Sequence, residues 1–403
     1  MNGVNLSYEN LEMNESERFQ IFFEDRGVFD SEIVVCMLVY NGGFEVSEAI
    51  TSIRGQESTR SIGILIIDGG TCKDWKTHVN SFKEIAIVNV VDFTVSQSRN
   101  ISHQICNMAF LNANWICRLD SDDLLDSRSS IEEIAERLEA EGSGKNWAIA
   151  GNSLSENGAR ICRKNMPEDD ICSPEVILPR LRRMAEGEAE AELPSCNIWI
   201  RRGFRAIYPD IESAEDHWLV CHLMVNQPDE GLILHESLFA TYSLTGKNTE
   251  KNRSNGSFLR SRRRLLSSVK FWINGEHSQD EEICIGWGCE GVVWLTGSTV
   301  RKRFHSRLLN QKDVDWLSEL DSSAFPNAEW SKEAGTFVAR YEYEKTINDL
   351  SFVNYFADPE QWFFLLKVPG FWRVMFPVQN NENEVSIFSK DQIEKRMQWV
   401  LAR

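Results

Sequence analysis

The chain has 403 residues, enough for two or three domains, with a formal net charge of −18 and an isoelectric point near 5.0. That acidity argues against whole-surface electrostatic binding to nucleic acid or anionic lipid, so no nucleic-acid partner is expected. Ten cysteines lie scattered without metal-ligand spacing, and no apolar run reaches the roughly 18 residues of a membrane span. Neither a disulfide framework nor a transmembrane segment is therefore expected. Met1-Asn2-Gly3-Val4-Asn5 has no basic region and no apolar core, so a signal peptide is not expected and the expected location is the cytoplasm.

Residues 1–30 are acidic and irregular and read as an N-terminal arm. Ile33 to Val39 is a continuous apolar run that ends in Tyr40-Asn41-Gly42-Gly43, the pattern of a buried parallel strand. Ser47 to Gln56 follows as a helix with Ala49, Ile50 and Ile53 on one face. Ile64 to Ile67 is a second such strand, closed by Asp68-Gly69-Gly70-Thr71, and Ile85 to Asp92 is a third. Ser98-Arg99-Asn100 opens a helix running to about Ala113, and Trp115 to Leu119 is a fourth strand. Cys36, Cys106 and Cys117 fall in apolar segments and read as small buried hydrophobes. Alternating strands and helices predict an open α/β sheet, which binds ligands outside the carboxyl ends of its strands. Asn41, Asp68 and the pair Asp120 and Asp122 fall at such ends.

The fourth strand runs into Asp120-Ser121-Asp122-Asp123. On an extended strand Asp120 and Asp122 share a face. Two like charges that close repel unless a cation lies between them, and hard oxygen ligands suit Mg2+ or Mn2+ beside a diphosphate. The alternative is an acidic turn, because aspartate is a common turn former. Further on, Glu215-Asp216-His217 reads either as catalytic acids or as the solvated first turn of a helix, where acids are favourable.

Together these pieces resemble a family 2 glycosyltransferase of the GT-A fold, over about residues 30–255. The resemblance rests on Tyr40-Asn41, Asp68-Gly69-Gly70-Thr71, Ser98-Arg99-Asn100, Leu119-Asp120-Ser121-Asp122-Asp123, Glu215-Asp216 and, weakly, Ser237 to Ser243. The chain departs from the family pattern at Asp74, displaced behind Cys72-Lys73, and at Ser243 in place of an arginine. The resemblance implies a Rossmann-like mixed sheet with helices on both faces. It implies a metal-dependent inverting transferase that moves a sugar from a nucleotide-diphosphate sugar, UDP-sugar foremost, to a hydroxyl of a glycan, lipid-linked or small-molecule acceptor. Asp68 would hold the base with Tyr40 and Asn41 beside it, and Arg99 with Asn100 would approach the nucleotide phosphates. Asp120 would reach the ribose and, with Asp122, the Mn2+ or Mg2+ ion. Asp216, with Glu215 beside it, would be the general base.

The remaining segments are less specific. Gly151 to Ala191 is charged and broken by Pro167, Pro174 and Pro179, and in this family helps form the acceptor side. Glu186 to Glu192 reads as a loop or an exposed helix turn, and Thr245 to Ser257 as a flexible loop or linker. Phe258 to Ile273 is an amphipathic helix expected to close a domain of residues 31–275. Arg260, Arg262, Arg263 and Arg264 on it read as a solvated face, or else as a peripheral membrane or phosphate contact. Residues 276–403 read as a smaller α+β domain. There Gly286-Trp287-Gly288-Cys289-Glu290-Gly291-Val292-Val293 followed by Val300-Arg301-Lys302 resembles the N-terminal lobe of a protein-kinase-like fold, over about residues 281–345. Gly286, Gly288, Gly291 and Lys302 would face nucleotide phosphates, with Glu319 as the lysine's partner and Thr336 to Glu344 as the strand toward the hinge. No His-x-Asp, no Asp-Phe-Gly and no histidine follows His305, so phosphoryl transfer has no machinery here. A fusion fragment, a kinase-like binding or regulatory module, and glycines serving only tight hairpin turns all remain open. The tail aromatics Trp362, Phe363, Phe364, Phe371 and Trp372 read as core or interface. The oligomeric state is not legible.

Overall fold

The structure is a computed structural model. It describes residues 22–24, 28–71, 74–79, 85–90, 93–156, 159–165, 167–168, 170–189, 192–193, 197–243, 254–275, 277–288, 291–305, 311, 314–315, 328–333, 335–342, 364–368 and 371–375. The chain divides into two compact units, whose described parts are residues 22–275 and 277–375.

In chain order the first unit holds β1 (Phe22–Glu24), β2 (Ile33–Val39), α1 (Phe44–Arg54), β3 (Ile62–Asp68), α2 (Trp75–Val79), β4 (Ile85–Asn89) and α3 (Val95–Ala109). There follow β5 (Trp115–Arg118), β6 (Leu124–Leu125), α4 (Ser130–Glu141), β7 (Trp147–Glu156), β8 (Ala159–Asn165), α5 (Pro174–Glu186) and β9 (Ile198–Arg201). The unit ends with α6 (Glu215–Asn226), β10 (Gly231–Ser243) and α7 (Ser257–Asn274). Its ten-stranded sheet has the order β1-β4-β3-β2-β5-β9-β7-β10-β6, with β8 paired to β7. Strands β4, β3, β2 and β5 are mutually parallel, and β9 runs antiparallel to both β5 and β7. This is the mixed α/β sheet that the strand–helix alternation predicts.

Side-chain alternation sorts the core into two layers. Ile33, Val35, Met37 and Val39 of β2 pack with Ile64 and Ile66 of β3 against Ile50 and Ile53 of α1 and Ile131, Ile134 and Leu138 of α4. Val34, Cys36, Leu65 and Ile116 point the other way, onto Ile105 and Cys106 of α3. Helices therefore cover both faces, which is why these strands read as unbroken apolar runs. Val39, Asp68 and Asn89 are in register, so the carboxyl ends of β2, β3 and β4 align.

Three expectations change. The fourth strand ends at Arg118, and Asp120 to Asp123 is a turn closed by the Asp123 N–H donating to the Asp120 carbonyl at 3.1 Å. Strand alternation therefore does not relate Asp120 to Asp122. The charged stretch after Gly151 builds β7, β8 and α5, and α5 continues through Pro179 with Gly187 at φ 82° closing its end. Third, the arginine cluster on α7 is divided: Arg260, Arg263 and Arg264 are exposed, as the solvated-face reading has it, whereas Arg262 turns inward. Arg260 pairs with Glu212, Arg262 is buried with its guanidinium 5.0 Å over the Phe258 ring, and Arg263 donates to the Ala185 carbonyl. Among the described residues no helix is long and apolar enough to cross a membrane.

The second unit holds β11 (Ile283–Trp287), β12 (Gly291–Thr296), β13 (Thr299–Phe304), β14 (Glu329–Glu333) and β15 (Thr336–Glu342), in an antiparallel sheet of order β11-β12-β13-β15-β14. A separate hairpin joins β16 (Phe364–Val368) to β17 (Phe371–Met375). Glu319, Trp362 and Phe363 lie outside the described residues, as does most of Thr245 to Ser257.

Candidate active site

The site grows from the aligned carboxyl ends of the parallel strands. After β2, Tyr40 is 72% exposed, and Asn41 turns the chain at φ 52°, a left-handed conformation that asparagine tolerates. The Asn41 side-chain oxygen accepts from the Thr71 N–H at 2.8 Å, binding the loop after β2 to the loop after β3. Gly70 permits that approach, since a Cβ there would meet the Asn41 nitrogen at 2.3 Å. Asp68 is fully buried and accepts from the Gly70 N–H at 3.1 Å.

Helix α3 starts at Thr94, whose hydroxyl and the Gln97 side chain form a reciprocal capping box. Its next turn brings in Arg99, Asn100 and His103. The Asn100 amide nitrogen donates to the Tyr208 carbonyl at 2.9 Å, and its oxygen accepts from the Tyr208 N–H at 2.8 Å. Asn100 thus pins the segment before α6 onto α3. The buried Arg99 guanidinium lies 5.2 Å over the Tyr208 ring, and His103 meets the same ring edge-on at 5.8 Å.

Arg118, the last residue of β5, faces the α3 layer and is only 4% exposed. Its Nε lies 3.2 Å from Asp120 Oδ1, and its Nη2 lies 3.3 Å from Asp216 Oδ2. Arg99 makes the parallel contact, with Nη1 2.5 Å from Glu215 Oε1 and Nη2 3.9 Å from Asp120 Oδ1. Two buried arginines thus hold three carboxylates. Glu215 and Asp216 do open helix α6, as the rival reading had it, but Glu215 is buried and Asp216 half-buried, each in an ion pair with an arginine and not in a solvated turn.

Burial raises the Glu215 carboxyl, and Arg99 opposes that rise. Burial pushes Asp216 up as well, but the His217 ring, which is charged only at the low pH where Asp216 titrates, Arg118, Arg99 and the His217 N–H together hold it below the usual carboxylate range. Burial also depresses His217 and His103 to about 4 each. Both rings are therefore neutral at pH 7, and the positive charge that opposes the acids comes from the two arginines.

Asp122 is exposed on the turn, and Asp120 is partly so. Asp123 is buried instead, accepting from the Ser243 N–H at 2.9 Å, and burial beside Asp122 and Asp120 raises its carboxyl well above the usual range. It fastens the turn to the end of β10. Among the described residues no three His, Cys, Asp or Glu side chains gather into a metal cluster. The donor set still fits Mg2+ or Mn2+, ions that take one or two carboxylates and fill the rest of their shell with phosphate and water oxygens. Asp122, with Asp120 beside it, would supply those carboxylates.

The structure brings together Arg99, Asp120, Glu215 and Asp216 of the sequence-predicted set, places Asp122 on the same turn, and sets Tyr40, Asn41 and Asp68 on the neighbouring strand ends. Arg118, Tyr208 and His103 were not anticipated. The signal for Arg118 was available: a charged residue inside the apolar run Trp115 to Leu119 must carry buried counter-ions.

In the second unit, Gly286, Val293, Lys302 and Ala339 pair in one row across four strands, so Lys302 shares a face with Gly286. Its Nζ lies 4.8 Å over the Phe304 ring. A Cβ at Gly291 would meet the Arg303 carbonyl oxygen at 2.0 Å, whereas Gly286 and Gly288 have open space. Gly291 is therefore required by the sheet itself.

No protein-family profile matches the chain, and no curated protein matches it. Solved structures do. S. aureus TarS residues 1–349 in complex with UDP is similar at TM-score 0.41 and 12% identity, over 61% of this chain and 67% of that one. The mannosyltransferase PcManGT from Pyrobaculum calidifontis, with GDP-Man and Mn2+, is similar at TM-score 0.38 and 11% identity, over 65% and 70%. Glucosyl-3-phosphoglycerate synthase from Mycobacterium tuberculosis, with Mn2+, UDP and glucosyl-3-phosphoglycerate, is similar at TM-score 0.37 and 12% identity, over 66% and 87%. Similarity this distant says nothing of chemistry, which rests on the chain's own residues.

Proposed function

We propose that this chain is a metal-dependent inverting glycosyltransferase, using a nucleotide-diphosphate sugar, UDP-sugar foremost, and a hydroxyl acceptor on a glycan, a lipid-linked sugar or a small molecule. One observation carries the reading: acids from two distant segments, Asp120 and Asp216, converge on the Arg118 guanidinium at the carboxyl end of the sheet, with exposed Asp122 on the same turn. A donor-side acid pair and an acceptor-side acid pair in one place are what sugar transfer from a diphosphate needs. A bound Mg2+ or Mn2+ would neutralise charge developing on the departing diphosphate.

Asp68 and the Tyr40–Asn41 turn would receive the base, and Arg99 would lie toward the phosphates. Asp216 would take the acceptor's hydroxyl proton as that oxygen bonds to the anomeric carbon. The bond from the same carbon to the diphosphate breaks, and the nucleoside diphosphate leaves with the electron pair. One base opposite the leaving group gives inversion. Residues 31–275 would form this catalytic domain and 276–403 an accessory one, in a reducing cytoplasm that suits free cysteines such as Cys36 and Cys106. Asp216→Asn is expected to retain donor binding and lose transfer by about 10²-fold or more. A dead Glu215→Gln beside an active Asp216→Asn would move the base to Glu215, and two active variants would overturn the assignment.

The open Gly286–Gly288 edge and the shared face of Lys302 favour a second, separate reading for residues 277–342, weak binding of a purine nucleotide without phosphoryl transfer. Calorimetric titration with ATP against Lys302→Ala tests it, and equal heats in both proteins would end it.

A further inference from the structure

We propose that Arg118 is a positioning residue of this site, a single buried guanidinium that fixes the donor-side acid Asp120 and the acceptor-side acid Asp216 in one geometry. The inference rests on the glycosyltransferase reading and gives Arg118 a role that the reading does not assign to it. β5 presents Arg118 on its α3 face, beyond the apolar packing of Ile116 with Cys106 and Ile105 and beside the buried Arg99 and His103 of α3. A cation at that depth is strongly unfavourable unless paired, so its counter-ions are obligatory. The pairing is divided by geometry. Nε and Nη2 reach the two oxygens of Asp120 at 3.2 and 3.5 Å, and Nη2 also reaches Asp216 at 3.3 Å.

The neighbouring Arg99 is committed to Glu215 and to the Tyr208 ring. It cannot replace Arg118 without abandoning both. Glu215 and Asp216 are consecutive acids in the first turn of α6, entered through Ala214 at φ 59°. Two like charges in one buried turn stay together because each has its own arginine. Lysine offers one nitrogen and no planar fork, so it cannot span Asp120 and Asp216 together. Arg118 therefore sets the separation between the acid beside the donor and the acid that meets the acceptor. An error of about 1 Å in such placement costs on the order of 10²-fold in rate.

The test is a double-mutant cycle in the full chain, with Arg118→Met, Arg118→Lys, Asp216→Asn and the paired substitutions. Arg118→Met is expected to lower kcat at saturating donor by about 30-fold or more and, through the loosened Asp120, to weaken Mn2+-dependent nucleoside diphosphate binding by about threefold or more. Arg118→Lys is expected to lose most of the same kcat, and it serves in place of the methionine variant should that one fail to fold. In the Asp216→Asn background either Arg118 substitution is expected to cost less than about threefold further, since the residue acts through Asp216. Additive losses in kcat would overturn the proposal and leave the base assignment standing. Full activity in Asp216→Asn alone would overturn the base assignment and the proposal with it. If the wild type transfers no sugar from any donor, the glycosyltransferase reading fails and the proposal with it, an outcome distinct from additive losses in an active enzyme.

Discussion

Substituting His103 by phenylalanine is expected to change how stability depends on pH by about 2 kcal/mol between pH 7 and pH 5. His103 is buried between Arg99 and Arg118 and meets Tyr208 edge-on at 5.8 Å. Burial first, then the charges of Arg118 and Arg99, lower it from 6.5 to about 4. Between those values the unfolded chain binds a proton at this residue and the folded chain does not. The neutral ring's contribution is therefore complete above about pH 6.5 and is lost as the pH falls from 6.5 toward 4. With those two values, one such histidine stabilises the fold by roughly 2 kcal/mol less at pH 5 than at pH 7. Phenylalanine keeps an edge-on ring and removes the titration. Its stability relative to wild type should thus rise by about 2 kcal/mol on going from pH 7 to pH 5, whatever its fixed cost in packing. His217 and His222, also near 4, drive the wild-type curve the same way, while Asp123 and Glu215, both raised, oppose them. Only the difference between the two proteins isolates His103. Urea unfolding at the two pH values measures it, and parallel pH profiles would refute a neutral His103 beneath the arginine pair.

Three further outcomes are expected. Asp122→Ala should abolish Mn2+-dependent nucleoside diphosphate binding without unfolding the chain; unchanged calorimetric affinity with and without chelator would contradict that. Asn100→Ala strips both main-chain groups of Tyr208 of their partners and should lower stability by about 2–4 kcal/mol, read as a shifted urea midpoint. Gly291→Ala should disrupt the pairing of β12 with β13, because its Cβ meets the Arg303 carbonyl oxygen at 2.0 Å; unchanged amide-exchange protection in those strands would refute it.

The parts of the fold legible in the sequence were those governed by neighbours in sequence. Strands β2, β3 and β4 are buried on both faces, so each shows as an apolar run, and Asp68 and Gly70 mark where β3 ends. Helix α3 begins three residues earlier than expected because Thr94 and Gln97 make a capping box, a signal present in the sequence as Thr-x-x-Gln. Helix α5 was obscured by Pro179, which local rules treat as a break and which tertiary packing of Ile177, Leu181 and Met184 overrides. Residue types at the site were legible where motif and chemistry coincide, at Asp120, Asp122 and Asp216. Their linkage was not. Arg118 meets Asp216 across 98 positions of chain, a contact set by the docking of α6 beside β5 and invisible to any local pattern. The same holds for Tyr208, whose place depends on two hydrogen bonds to Asn100.

The most direct test is release of nucleoside diphosphate from a panel of nucleotide sugars by the full chain in Mn2+. A transferase of this kind should hydrolyse or transfer at least one donor, UDP-sugars first, and should stop when the metal is chelated and in Asp122→Ala. Release from no donor, or release indifferent to both chelator and Asp122→Ala, would contradict a metal-dependent glycosyltransferase built on these acids.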